Sequence, residues 1–180
     1  LCEQSGLPFV QEVFASAMAT KKLYPETDCA IELGGEDAKI LFFKGSIEQR
    51  MNSQCAGGTG AFIDQMSQLL HMSLEEMNEA SLHYNRIYPI ASRCGVFAKS
   101  DIQPLINQGV AKSDLCASIF QAVVGQTITS LAQGHKIEGN VLFLGGPLYF
   151  LSGLRNRFQE TLHLSDAQIN CPDTAIHYVA

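Results

Sequence analysis

No Cys-x-x-Cys pair occurs in this chain, so its six cysteines form no ready-made dithiol or metal-ribbon motif. No basic stripe is present, and a net charge of −6 argues against a nucleic-acid partner. No uninterrupted apolar run approaches the roughly 20 residues of a membrane span, so no membrane role is expected. The opening Leu1-Cys2-Glu3-Gln4 lacks the basic and apolar regions of a signal peptide. It also lacks an initiator methionine, which reads as a fragment or a processed piece. Cysteines without a secretory signal point to the reducing cytoplasm rather than to a disulfide framework. There is no low-complexity segment and no internal repeat.

What is present suits one domain or two small lobes, at 180 residues with 46% apolar and 17% charged content. Residues 7–23 carry a helical pattern. Cys29 to Leu33 reads as a buried strand ending at Gly34-Gly35, and Ala38 to Phe43 as a second. Ile47 to Met51 offers a third. A helix is expected after Gly60, with Phe62, Met66, Leu69 and Leu70 on one face. Ser73 with Glu76 spells a capping box for the next. Strand-like segments lie around Ile90 and Val96-Phe97, and Asp101 is placed to open a short helix. A long helix should run from Ser113 to about Leu131 or Gln133, with Cys116 on its core side. Val141 to Leu144 reads as a strand, 151–162 as a helix, and 169–171 and 176–179 as a last strand region. Together these describe a mixed α/β domain.

Two cysteines stand in unusual contexts. Cys55 lies in Asn52-Ser53-Gln54-Cys55-Ala56-Gly57-Gly58-Thr59-Gly60, before a glycine turn that opens a helix. Such a turn favours anions, and a helix N-terminus stabilises a thiolate. Cys94 lies in Ser92-Arg93-Cys94-Gly95-Val96-Phe97, before a run that reads as a strand. Two thiolates are half of an iron–sulfur ligand set, and a symmetric dimer would supply the rest. The plain alternative is two buried thiols beside tight turns. Glu32-Leu33-Gly34-Gly35-Glu36-Asp37 puts carboxylates around a strand turn, suited to a phosphate and a Mg²⁺ held through its water shell, or simply to a solvated turn. Gly57 to Gly60 could face a nucleotide or the charge of a cluster. Gly145-Gly146 ends a strand, as at a ligand crevice or at a close strand–helix packing.

In this order the motifs Glu32-Leu33-Gly34-Gly35-Glu36-Asp37-Ala38-Lys39, Asn52-x-x-Cys55-Ala56-Gly57-Gly58-Thr59-Gly60, Cys94-Gly95-Val96-Phe97-Ala98-Lys99-Ser100-Asp101 and Gly145-Gly146 resemble one family. It is the BadF/BadG-type ATPases that activate 2-hydroxyacyl-CoA dehydratases and serve benzoyl-CoA reductase. The resemblance runs from about Gly6 onward. Phe143 through Phe158 looks like the branch in which this domain is one piece of a much longer protein.

The resemblance implies an actin/hexokinase/Hsp70-like (ribonuclease H-like) α/β fold with ATP or ADP between two lobes. It implies a homodimer, or a tandem-domain pair, whose shared [4Fe–4S] cluster is bound by Cys55 and Cys94. Gly34 and Gly35 would belong to the second phosphate hairpin, and Gly145 and Gly146 would meet the adenosine. Gly58, Thr59 and Gly60 would also contact the cofactor. Glu32 stands where many members carry Asp; with Asp37 it is the expected catalytic and Mg²⁺-binding pair. Lys99 and Asp101 stand where simpler activators carry Glu, so no role is carried to them. The first phosphate hairpin would lie upstream, so residues 1–180 would hold the second lobe and part of the first. The implied function is ATP-driven donation of one electron to a dehydratase or reductase. A cluster-free kinase-like ATPase and a non-catalytic docking domain are the alternatives.

Overall fold

The computed structural model describes residues 9–52, 58–91 and 94–172. Strands β1 (Cys29–Leu33), β2 (Ala38–Phe42) and β3 (Glu48–Asn52) form an antiparallel meander. Strand β4 (Val141–Leu144) returns on the far side of β1, parallel to it, and the short β5 (Ile169–Asn170) pairs parallel to β4. The sheet order is β3-β2-β1-β4-β5. The strands expected at 29–33, 38–43, 47–51, 141–144 and 169–171 are therefore present to within a residue at each end, and residues 176–179 lie outside the described residues.

Strands β1 and β2 are buried end to end because both sheet faces are covered. Alternation sends Cys29, Ile31 and Leu33, with Ala38, Ile40 and Phe42, into the main core. Ala30, Leu41, Leu142 and Leu144 face the other way, against Ala17 of α1 (Glu12–Leu23). Helix α1 begins at Glu12 rather than at residue 7. Its Phe14 and Met18 are exposed, so the expected apolar face is only partly used.

Helix α2 (Gly60–Leu70) buries Phe62, Ile63, Met66 and Leu70 in the main core. Helix α3 (Leu74–Ser81) opens with the expected capping box: Ser73 N donates to Glu76 Oε2 at 2.8 Å, and Glu76 N to Ser73 Oγ at 3.2 Å. Helix α4 (Gly95–Asn107) corrects two expectations. Val96-Phe97 is not a strand, and Asp101 lies inside a helix instead of opening one. The apolar pair is 69% and 64% exposed, so packing makes no strand-like demand on it. Ala98 and Ile102, one helical turn apart, are the buried residues instead.

The segment around Ile90 is not a strand either. Its amides find side chains rather than a neighbouring strand. Asn85 and Arg86 donate to Asp114 Oδ1 at 2.7 and 3.2 Å, Tyr88 to Ser118 Oγ at 2.8 Å, and Ala91 to Asp101 Oδ2 at 2.8 Å.

Asp114 and Ser118 sit on α5 (Lys112–Thr127), which continues as a π-helical turn over Ile128–Ala132. This is the expected long helix. By length and composition it would suffice to cross a bilayer, yet 67% of its 18-residue apolar stretch is buried within the protein. Cys116 is in the core as expected, its thiol 3.9 Å from Met72 Sδ. A short α6 (Gly146–Phe150), not foreseen, precedes α7 (Ser152–Leu162), which packs on α5.

Gly145 has φ +89°, and a Cβ there would lie 2.0 Å from the Leu33 carbonyl oxygen. Gly109 has φ +73° but open space around it. Gly109→Ala should cost only the backbone strain, about 1 kcal/mol. Gly145→Ala should cost about 3 kcal/mol or more, because backbone must shift. Urea unfolding of the two variants measures the difference.

Candidate functional site

Strands β1 and β4 run parallel and side by side, so their carboxyl ends emerge together. Ligands in open α/β sheets bind outside such ends. The β1 end carries Gly34-Gly35 and the β4 end Gly145-Gly146. The start of α2 closes over both. Gly60 N donates to the Gly34 carbonyl at 3.0 Å, and Ala61 N to the Gly35 carbonyl at 2.7 Å. A Cβ on Gly60 would sit 3.2 Å from Gly34 O, 3.2 Å from Pro147 Cγ and 3.3 Å from Gly35 Cα. Three glycine turns separated in sequence thus meet at one point.

They open onto one cavity of about 790 Å³. Gly35, Gly60 and Gly146 line one part of it. Ile63, Leu74, Pro147, Phe150 and Leu151 give it an apolar wall, and Asp64, Glu75, Asn78 and Glu79 a polar one. Glu75 has a carboxyl below the ordinary range, held there by backbone and Ser73 hydrogen bonds at the start of α3. The remaining named glycines have other places. Gly34 pairs with Asp37 O at 2.9 Å, and Gly145 is buried beneath Leu33. Gly58 is buried against Gln126, and Thr59 is fully buried. Neither Gly58 nor Thr59 is among the residues lining this cavity.

Glu32 and Asp37 face a partner that the sequence reading missed. The register sets Glu32 opposite Lys39. Lys39 Nζ lies 3.2 Å from Glu32 Oε1 and 3.2 Å from Asp37 Oδ2, and it also pairs with Glu12 of α1. Lys39 is 1% exposed. Burial alone would lower its ammonium, but the Glu12 hydrogen bond and the Glu32 charge hold it well above its ordinary range. Burial raises the Glu32 carboxyl above the ordinary carboxylate range, outweighing the pull of Lys39. Glu32 Oε2 is buried without a hydrogen-bond partner. A four-residue turn after Leu33 already implied the Glu32–Lys39 cross-strand pair, so the signal was there.

Among the described residues no group of three or more His, Cys, Asp or Glu side chains could hold a metal ion directly. Neither Glu32 nor Asp37 lines the cavity, and Glu32 Oε2 is closed to water, so Glu32 offers the expected Mg²⁺ no direct or water-bridged contact in this arrangement. Cys94 is the N-cap of α4 and a partly exposed free thiol. Cys29 and Cys116 are buried, and burial pushes their thiols up to about 12 and about 11. They are shut away in the core, whereas Cys94 is partly exposed at the start of α4. Cys94 therefore fits a cluster ligand. Cys55 lies outside the described residues.

This mixed sheet, with glycine turns at the ends of β1 and β4, has the actin/hexokinase/Hsp70-like α/β fold. The chain belongs to the BadF/BadG/BcrA/BcrD ATPase family, whose model matches residues 4–174. It is 32% identical over 140 residues to the activator of lactoyl-CoA dehydratase of Anaerotignum propionicum, covering 76% of this chain and 54% of that protein. The structure of Acidaminococcus fermentans (R)-2-hydroxyglutaryl-CoA dehydratase component A matches with TM-score 0.82 and 29% identity, over 94% of this chain and 64% of that one. The ADPNP-bound activator of 2-hydroxyisocaproyl-CoA dehydratase from Clostridium difficile matches with TM-score 0.82 and 27% identity, over 94% and 63%. The chain spans about half the length of the curated relatives it matches.

The raised Glu32 carboxyl has a consequence for stability. Its protonated form is favoured in the fold, so its contribution is full below the ordinary glutamate value. That contribution is lost as pH rises through the raised value. Glu32→Gln should remove this decline and be no less stable than the wild type near neutrality. Urea unfolding from about pH 4 to about pH 8 checks it.

Proposed function

We propose that this chain holds the second lobe and part of the first of an ATP-dependent activator that binds nucleotide and passes one electron to a 2-hydroxyacyl-CoA dehydratase or a related reductase. The observation that carries the reading is the meeting of Gly35, Gly60 and Gly146 on one cavity of about 790 Å³. The names of the relatives supply the reaction class, and the ADPNP-bound neighbour supports a nucleotide in this fold.

Gly34 and Gly35 approach the phosphates, where the absence of side chains allows backbone contact. Gly146 and the apolar wall of Pro147, Phe150 and Leu151 suit the adenosine. Asp37, 32% exposed at the hairpin turn, would steady the waters of a bound Mg²⁺, with Glu32 behind it on Lys39. Cys55 and Cys94, two from each of two copies or of two tandem domains, would hold a [4Fe–4S] cluster. When bound, that cluster supplies a one-electron donor. Exposed Val96 and Phe97 beside Cys94 support an interface on that face. Free thiols at Cys29, Cys94 and Cys116 agree with a reducing cytoplasm.

Helix α2 joins the two ends of this scheme. Its first amides rest on the phosphate hairpin, and Cys55 lies five residues before it in sequence. A nucleotide that binds two hairpin positions with different affinity therefore biases the start of α2.

Anaerobic iron and sulfide analysis with an EPR spectrum tests the reading. Iron should be retained by the wild type and by Cys116→Ser, and lost in Cys55→Ser and Cys94→Ser. Iron bound by Cys55→Ser, or no iron in the wild type, would leave a cluster-free ATPase. Hydrolysis needs phosphate contacts from both lobes, because phosphoryl transfer is mostly positioning and charge stabilisation. Residues 1–180 alone should show no significant ATP hydrolysis in a phosphate-release assay. Turnover comparable to that of a two-lobed relative would mean that the nucleotide site is misplaced.

A further inference from the structure

We propose that Phe150 and two carboxylates of α3 select the base of the nucleotide: Phe150 stacks on the ring, and Glu75 with Glu79 accept from the exocyclic amine of a 6-aminopurine, so that the cavity prefers it to a 6-oxopurine. The inference rests on the nucleotide reading above and deepens it.

The cavity is graded from backbone to side chain. Gly35, Gly60 and Gly146 line it where backbone can meet phosphate. Phe150 lies four residues beyond Gly146 on α6, about 6 Å further along. It lines the same cavity, and its ring is 61% exposed, a large apolar area open to water. That ring is firmly mounted. Tyr149 meets it edge-on, with centroids 4.9 Å apart and planes at 90°. Arg155 Nη1 donates to the Leu148 and Tyr149 carbonyls, both at 2.6 Å, and so fixes the end of α6. A held aromatic ring is a stacking platform for a flat base. Every base has such a face, so Phe150 supplies affinity and not choice.

The polar wall makes the choice. Leu74, Glu75, Asn78 and Glu79 share one side of α3, in pairs four residues apart. Asn78 ties that helix to α7: its Nδ2 donates to Ser152 Oγ at 3.2 Å, and its Oδ1 accepts from Gly153 N at 2.9 Å. The bridge sets α3 relative to the turn that carries Phe150. The other polar side chains on the cavity are Asp64, Glu75 and Glu79, all carboxylates. An ionised carboxylate only accepts, at several lone-pair positions. Glu75 is kept ionised by backbone and Ser73 hydrogen bonds. Glu79 holds His83 Nε2 at 3.2 Å and has lone pairs for further donors. The amine of a 6-aminopurine brings N–H donors to this wall. A 6-oxopurine brings a carbonyl oxygen, which sets acceptor against acceptor. The same negative charges repel phosphate and so turn the phosphates toward the glycines.

The test is calorimetric titration of the chain, in Mg²⁺, with ADP and with IDP, in which oxygen replaces the 6-amino group. The wild type should bind ADP about tenfold or more tightly than IDP. Glu75→Gln combined with Glu79→Gln places amide donors on the wall and should close most of that gap. Phe150→Ala should weaken both ligands alike, by about tenfold, and Phe150→Tyr should keep both. Phe14→Ala, which removes an equally exposed ring on α1, should change neither. Equal affinity of the wild type for ADP and IDP, a gap that survives the double substitution, or unweakened binding by Phe150→Ala overturns the base selection while leaving the nucleotide site standing. A wild-type chain that binds neither nucleotide overturns the nucleotide reading, and this inference with it.

Discussion

The first two amides of α2 donate to the carbonyls of Gly34 and Gly35, and the site depends on those two hydrogen bonds. Helix starts leave amides unsatisfied, and Thr59 makes no side-chain cap. The hairpin carbonyls take that role. The contact is tightest at Gly60, where a Cβ would lie 3.2 to 3.3 Å from Gly34 O, Pro147 Cγ and Gly35 Cα, whereas Gly35 has open space for one. Pro147 closes the third side. The hairpin, the start of α2 and the β4–α6 turn are thus one unit, and a change at any of them reaches the other two.

A consequence is that α2 uses its first amides on protein, not on an anion. Gly60 contributes closeness more than a free donor. Under the proposed nucleotide reading, an anion in the cavity would meet Gly35 and Gly146 instead. Helix α2 also touches α4: a Cβ on Gly95 would lie 2.6 Å from Gln65 Oε1. The two helices that follow the two cysteine motifs are therefore in contact, so a shift of α2 has a physical route to Cys94.

The strands, the long α5 and the capping box were legible because each rests on local chemistry: β-branched and apolar alternation, helical spacing, and the Ser73–Glu76 pair. The glycine turns were legible as turns. Their meeting point was not, since it depends on the parallel return of β4 beside β1. The Val96-Phe97 error has a clear origin. Two β-favouring residues were weighed by propensity, but both face out, and Ala98 with Ile102 decided the helix. The segment near Ile90 was misjudged because its amides are satisfied by Asp114, Ser118 and Asp101, partners that no pattern within the segment reveals. Lys39 was overlooked although the hairpin register implied its pairing with Glu32. Its third partner, Glu12, is 27 residues away and needed the packing of α1 on the sheet.

The central claim is that three sequence-distant glycine turns form one nucleotide site. The most direct measurement is an NMR titration of the chain, ¹⁵N-labelled at its 15 glycines, with Mg–ADP. The account predicts that the Gly35, Gly60 and Gly146 resonances move together along one binding curve, while Gly45, Gly109 and Gly134, which have open space around them, stay fixed. Movement of only one of the three turns, or shifts confined to other glycines, would contradict it.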